Sequence, residues 1–146
     1  MTTDQALNDL LIILFKDIME IEGKCLVTSE YGDISYNDFH IIEAIGMERP
    51  KSMTEIAARM KVTMGTLTKA MDGLTEKGYA VRERSNKDKR VMDVSLTEKG
   101  KSAFQHHEEF HRDMIQNVKE QVREQDMPVL TGALSGLVDF FRQKYI

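Results

Sequence analysis

The stretch Lys77–Gly100, KGYAVRERSNKDKRVMDVSLTEKG, decides how the rest of the chain is read. Gly78 is well placed to stop a helix. Alternation at Tyr79-Ala80-Val81-Arg82-Glu83-Arg84 and at Val91-Met92-Asp93-Val94-Ser95-Leu96 predicts two strands around a Ser-Asn-Lys-Asp-Lys turn. Thr97 can then cap a new helix. Just upstream, Thr63 can cap a short helix with Leu67, Met71 and Leu74 on one side. A short helix followed by a basic hairpin is the outline of a winged helix-turn-helix, a device that holds duplex DNA.

Working outward, Lys61-Val62 turns the chain between that helix and one starting at Ser52-Met53-Thr54-Glu55, which has capping-box form. Ser35 can cap a helix running to Ile45, with Asp38 in its first turn and Gly46 at its end. Leu7, Leu10, Leu11, Leu14, Ile18 and Ile21 give residues 4–28 helical spacing, and Leu10–Phe15 is apolar most of the way round. Such a helix needs burial on two sides, as at a subunit interface. Downstream, a long helix is expected through Phe104, Phe110, Met114, Ile115, Val118 and Val122. Asp126 is expected to cap a last one that tolerates Pro128 in its first turn. The fold class is mostly α with a small β-hairpin wing.

The 146 residues are one domain's worth of chain, expected to run as a single domain over 1–146. No run of 18 apolar residues occurs, and the opening MTTDQALNDL lacks the basic-then-apolar form of a signal peptide. One cysteine, Cys25, cannot form an internal disulfide; a reducing cytoplasm is expected. The net charge of −4 hides an asymmetry. Residues 51–101 hold twelve Lys/Arg against seven Asp/Glu, a net +5, which leaves −9 for the rest of the chain. A basic middle on an acidic body points to a polyanion meeting one face. No G-x-S-x-G, P-loop or G-x-G-x-x-G string occurs, so no enzyme is expected, and no cofactor.

The major groove, about 12 Å wide, admits a helix whose first residues reach base edges. Met64, Gly65, Thr66, Thr68 and Lys69 are the expected exposed positions, and Gly65, a poor helix former, favours close approach. Amides at the helix starts after Ser52 and Thr63 can hold phosphates. In the wing, Arg82, Arg84, Lys87, Lys89 and Arg90 place five cations in nine residues. Asp88, two places before Arg90, has the spacing to hold its guanidinium for a narrow minor groove.

The string KGY…R-E-R…D-K-R-V…LTEKG, with the long flanking helices, resembles the MarR family of bacterial transcriptional regulators. That family's wing commonly reads D-R-R; Asp88-Lys89-Arg90 keeps the Asp and the second Arg. The resemblance implies a homodimer joined through 1–30 and 101–146. Each winged helix-turn-helix, residues 31–100, would meet half of a pseudo-palindromic operator in double-stranded DNA. Thr66, Thr68 and Lys69 would touch the major groove, Arg90 the minor groove, and Lys87 and Lys89 the phosphates. Within the family, VTMGTLTKAMDGLTEKGY at 62–79 and His107-x-x-x-His111-x-x-Met114 are similar to the Firmicutes fatty-acid biosynthesis repressors. That branch implies repression with long-chain acyl-acyl carrier protein as corepressor, its acyl chain lined here by Ile18, Ile21, Phe39, Ile42, Phe104 and Phe110.

Two other sensor chemistries and one other function stay open at this point. His107 and His111 share a helix face at i, i+4 and could bind zinc, with Cys25, Glu22 or His40 as further ligands. Cys25 could be a redox switch, although Lys24 is the only basic neighbour to lower its pKa. The chain could also be a winged-helix protein–protein adaptor without DNA binding.

Overall fold

The computed structural model describes residues 1–28 and 30–146; Ser29, inside the expected 1–30 dimerisation segment, lies outside the described residues. The chain divides into two compact units, Met1–Phe110 and His111–Ile146.

In the first unit, α1 (Thr3–Leu26) starts at a capping box between Thr2 and Gln5. α2 (Tyr36–Ile45) starts at a second, in which Ser35 Oγ accepts the Asp38 amide and Asp38 accepts that of Ser35. α3 (Met53–Met60) is capped by Ser52, but the expected box is half made: the Glu55 carboxylate turns to Arg49 instead, at 2.7 and 3.0 Å. Lys61 takes the left-handed conformation, φ 56°, and turns the chain into α4 (Met64–Glu76). Strands Ala80–Arg84 and Met92–Leu96 form the hairpin. A short strand that alternation could not reveal, Lys51–Ser52, pairs with Val94 and Asp93 of the latter. In chain order these are β1 (Lys51–Ser52), β2 and β3, an antiparallel sheet ordered β1-β3-β2.

The hairpin base is locked to α5 (Glu98–Gln121) by one close approach. A Cβ on Gly100 would lie 2.0 Å from the Tyr79 carbonyl oxygen, so only glycine lets the helix pack there. Thr97 completes the lock: its hydroxyl donates to the Gly78 carbonyl at 2.6 Å and accepts the Gly100 amide at 3.1 Å. Tyr79 is fully buried, and its hydroxyl donates to Asp33 at 2.6 Å. The core around it gathers Leu26, Phe39, Ile42, Ile56, Leu67, Met71, Leu74 and Val94. Each large apolar side chain buried there contributes about 1.5–3 kcal/mol.

A buried polar cluster joins α1, α2 and α5. Glu22 accepts the Tyr36 hydroxyl at 2.8 Å, and its other oxygen lies 2.8 Å from His107 Nε2. His107 Nδ1 lies 3.4 Å from Glu43. The apolar run of α1 stays about half exposed, Leu10 at 64% and Ile13 at 54%.

The second unit holds the end of α5, a 3-10 turn at Glu124–Asp126, and α6 (Met127–Tyr145). Asp126 does not cap α6 as expected. It lies in right-handed helical backbone with no side-chain cap bond, and its carboxylate accepts Arg123 Nε at 2.8 Å. α6 buries none of its residues and leaves Leu134, Val138, Phe140 and Phe141 exposed. Among the described residues no helix is long and apolar enough to cross a membrane.

Burial and the bond to Glu22 push the Tyr36 hydroxyl up to about 12 from 10.0, favouring the neutral phenol in the folded state. Its contribution is therefore complete below pH 10 and is lost as pH rises through about 12. Tyr36→Phe is expected to cost about 1–3 kcal/mol below pH 10. In thermal melts its gap from wild type should close between pH 10 and about 12; a pH-independent gap would show that the phenol proton plays no part.

Candidate nucleic-acid interface

The turn at Lys61-Val62 sets α3 and α4 as a helix-turn-helix, and the side chains of α4 divide cleanly. Leu67, Met71 and Leu74 are buried, whereas Met64, Gly65, Thr66, Thr68 and Lys69 are exposed. Thr63 holds the first turn. Its Oγ1 accepts the Thr66 amide at 3.2 Å and donates to Thr66 Oγ1 at 2.9 Å. The Thr66 hydroxyl keeps its own proton to donate outward. Thr68 donates its proton back to the Met64 carbonyl at 2.8 Å, so it presents lone pairs and a methyl group. Ser52, by contrast, is half-buried between β1 and α3. A Cβ on Gly65 would meet nothing within 4 Å, so packing does not require glycine there.

The wing tip is built from local bonds. The Ser85 amide donates to the Val91 carbonyl at 2.9 Å, and Arg84 Nη1 donates to the Lys89 carbonyl at 2.8 Å, bracing the loop. Asp88 accepts Arg90 three times: the backbone amide at 3.0 Å, and Nε and Nη2 at 3.1 Å each. These bonds hold the Asp88 carboxyl below its usual range. The Arg90 side chain remains 91% exposed, a planar fork fixed in direction and open to solvent.

Several cations counted in the basic middle are engaged by acceptors within the fold. Lys51 is buried, its Nζ on the Ile45 carbonyl at the end of α2. Arg59 reaches the Ala44 carbonyl at 3.4 Å. Arg82, counted above among the wing cations, lies instead against α4, 2.7 Å from Asp72. Period-two alternation carries the signal for this, since Ala80 and Arg82 share a face of β2 and Ala80 is buried. Lys69, Lys87, Lys89 and Arg90 are left on the exposed surface of α4 and the tip.

The residues expected to line an acyl site are not alike. Phe39 and Ile42 are wholly buried in the core, and Phe104 and Phe110 are partly buried against it. Ile18 is half-buried and Ile21 exposed. Cys25 is exposed and its carbonyl meets His106 Nε2 at 3.0 Å. The ring of His40 packs on Tyr36 and His107. The run His107–His111 also has the form H-E-x-x-H, a zinc-peptidase signature that the helical-face reading did not include. His107 is buried with a carboxylate near each ring nitrogen, and Glu108 is exposed. A peptidase needs an open metal position and a base beside it. His111 lies in the second unit.

Comparison with known proteins bears on this surface. The model of the MarR family matches residues 33–91. The crystal structure of Streptococcus pneumoniae FabT in complex with DNA superimposes with a TM-score of 0.85 at 31% identity, covering 95% of this chain and 97% of FabT. YpoP of Bacillus subtilis, an uncharacterized HTH-type transcriptional regulator, is 34% identical over 53% of this chain and 55% of its own. SarZ of Staphylococcus saprophyticus, an HTH-type transcriptional regulator, is 33% identical over 66% of this chain and 62% of its own. The chain thus spans 55% and 62% of these two curated relatives.

Gly65→Ala is expected to stabilise the fold by about 0.5–1 kcal/mol, because helix propensity rises and no atom obstructs the methyl group. Urea denaturation measures this, and a destabilised variant would show that the fold itself needs glycine there.

Proposed function

The chain belongs to the MarR family of transcriptional regulators, and from that premise we propose that it is a homodimeric repressor that binds duplex DNA. The observation that carries this reading is the pairing of an α4 front made of Thr66, Thr68 and Lys69 with a wing whose Arg90 is held outward by Asp88. Thr66 as donor and Thr68 as acceptor would touch base edges in the major groove, with bare Gly65 admitting close approach. Arg90 would enter the minor groove, and Lys87 and Lys89 would neutralise phosphates. The N-terminal ends of α3 and α4, at Ser52 and Thr63, would add phosphate contacts through backbone amides. Residues 31–100 would form the DNA-binding part, and 1–30 with 101–146 the dimer contacts, in keeping with the exposed apolar faces of α1 and α6. No enzymatic activity belongs to the reading.

The regulated genes in this reading are those of fatty-acid biosynthesis, with long-chain acyl-acyl carrier protein as corepressor. Support comes from the recognition-helix string at 62–79 and from the likeness to FabT over nearly the whole chain. The acyl chain would enter beside Ile18, Ile21, Phe104 and Phe110, and Phe39 and Ile42 would have to give way from the core.

Arg90→Ala is expected to cost about 1–3 kcal/mol of operator affinity, measured across a salt titration. Binding like that of wild type would remove the minor-groove role. Native mass spectrometry of the purified protein tests the ligand. Co-purified acyl chain or acyl carrier protein is the expected result, whereas stoichiometric zinc would replace the lipid reading with a metal-sensing one.

A further inference from the structure

We infer that Arg82 is a positioning residue that ties the wing to the recognition helix α4, so that both meet DNA as one rigid body; the inference rests on the DNA-binding reading above. Arg82 sits midway along β2, paired across the sheet with Val94. Its guanidinium spans two acceptors on one face of α4. Nη1 lies 2.7 Å from Asp72 Oδ1, and Nη2 donates at 3.4 Å to Thr75 Oγ1, whose own proton goes to the Met71 carbonyl at 2.9 Å. Asp72 and Thr75 stand three places apart, one helical turn. A planar fork reaches both at once, which an ammonium group cannot do.

The need for such a tie follows from the sheet. β1 supports β3 over two residues only, at its Asp93 and Val94, and beyond Arg84 the wing is an unsupported tip. Two-stranded hairpins are marginal by themselves. Gly78, with φ 85°, and Tyr79 join α4 to β2, and Thr97 and Gly100 hold that joint, so what would swing without a lateral contact is the outer half of the hairpin. Arg82 supplies the contact there and limits the swing. Arg90 then stands at a fixed distance from Thr66 and Thr68 before any duplex arrives. Ordering the tip is part of folding rather than a cost of binding.

This role differs from a phosphate contact in what it does to salt dependence. Removing a phosphate contact lowers the salt slope of binding by about 1. Removing the tie leaves the bound contacts unchanged, so the slope stays and the affinity falls. The Arg82 side chain is 28% exposed and that of Asp72 59%, so solvent screens the pair. The loss is therefore about two- to fivefold.

Arg82→Met, Asp72→Asn and the double variant are compared with wild type on a duplex spanning the region upstream of the chain's own gene. Nitrogen-15 relaxation of wing amides 85–90 is measured in the free proteins. Each single variant is expected to weaken binding about two- to fivefold with the wild-type salt slope, the double no more than either single, and the wing amides to become more mobile. A slope lower by about 1 in Arg82→Met alone, additive losses, or unchanged wing mobility would overturn the tie. Asp72→Asn, at an exposed position, keeps the test decisive if Arg82→Met folds poorly. A wild-type chain with no salt-dependent affinity for the duplex refutes the DNA-binding reading instead, and the relaxation data still decide the tie.

Discussion

The contact of the Gly100 backbone with the Tyr79 carbonyl is the constraint on which the rest of the first unit depends. The start of α5 sits so close to the start of β2 that no side chain fits between them. Around that point the Thr97 hydroxyl bridges the Gly78 carbonyl and the Gly100 amide, while the buried ring of Tyr79 reaches Asp33. The end of α4, the base of the hairpin and the first turn of α5 are thereby one joint. A displacement of α5 at Gly100 must move the hairpin base with it, because packed interiors transmit strain rather than absorb it.

Charge is distributed by the same logic of local commitment. Lys51 and Arg59 satisfy carbonyls of α2, and Arg82 faces Asp72. A count of cations along the chain therefore overstates the outward field. Lys69, Lys87, Lys89 and Arg90 stand exposed on α4 and the wing tip, set against an acidic remainder of the chain. The buried cluster of Glu22, Tyr36, His107 and the nearby Glu43 plays the corresponding structural part among α1, α2 and α5.

Most of the fold was legible because its signals are local. Thr63, Ser52 and Ser35 are helix caps whose chemistry lies within three residues, and Leu67, Met71 and Leu74 mark one face by spacing alone. The Asp88 grip on Arg90 spans two residues and was readable for the same reason. What escaped is non-local or too short to be periodic. Arg82 finds Asp72 ten positions away. β1 has two residues, fewer than any alternation needs. Asp126 and Glu55 looked like capping residues, but each has an arginine within reach that takes its carboxylate. The pattern could not rank two competing partners, and at Asp126 it missed the right-handed backbone as well.

The grip of Asp88 on Arg90 has a kinetic consequence. Seen from beyond a Debye length, about 8 Å at physiological ionic strength, a carboxylate and a guanidinium in contact are a neutral pair. On the DNA-binding reading proposed above, the long-range pull of the wing on a polyanion would then come from Lys87 and Lys89, whose exposed ammonium groups act through solvent before contact. Arg90 would contribute only once its fork is inside a groove, where it would slow departure. Capture and residence would thus be divided between neighbouring side chains of one loop, the lysines governing how fast a duplex is found and the arginine how long it is kept.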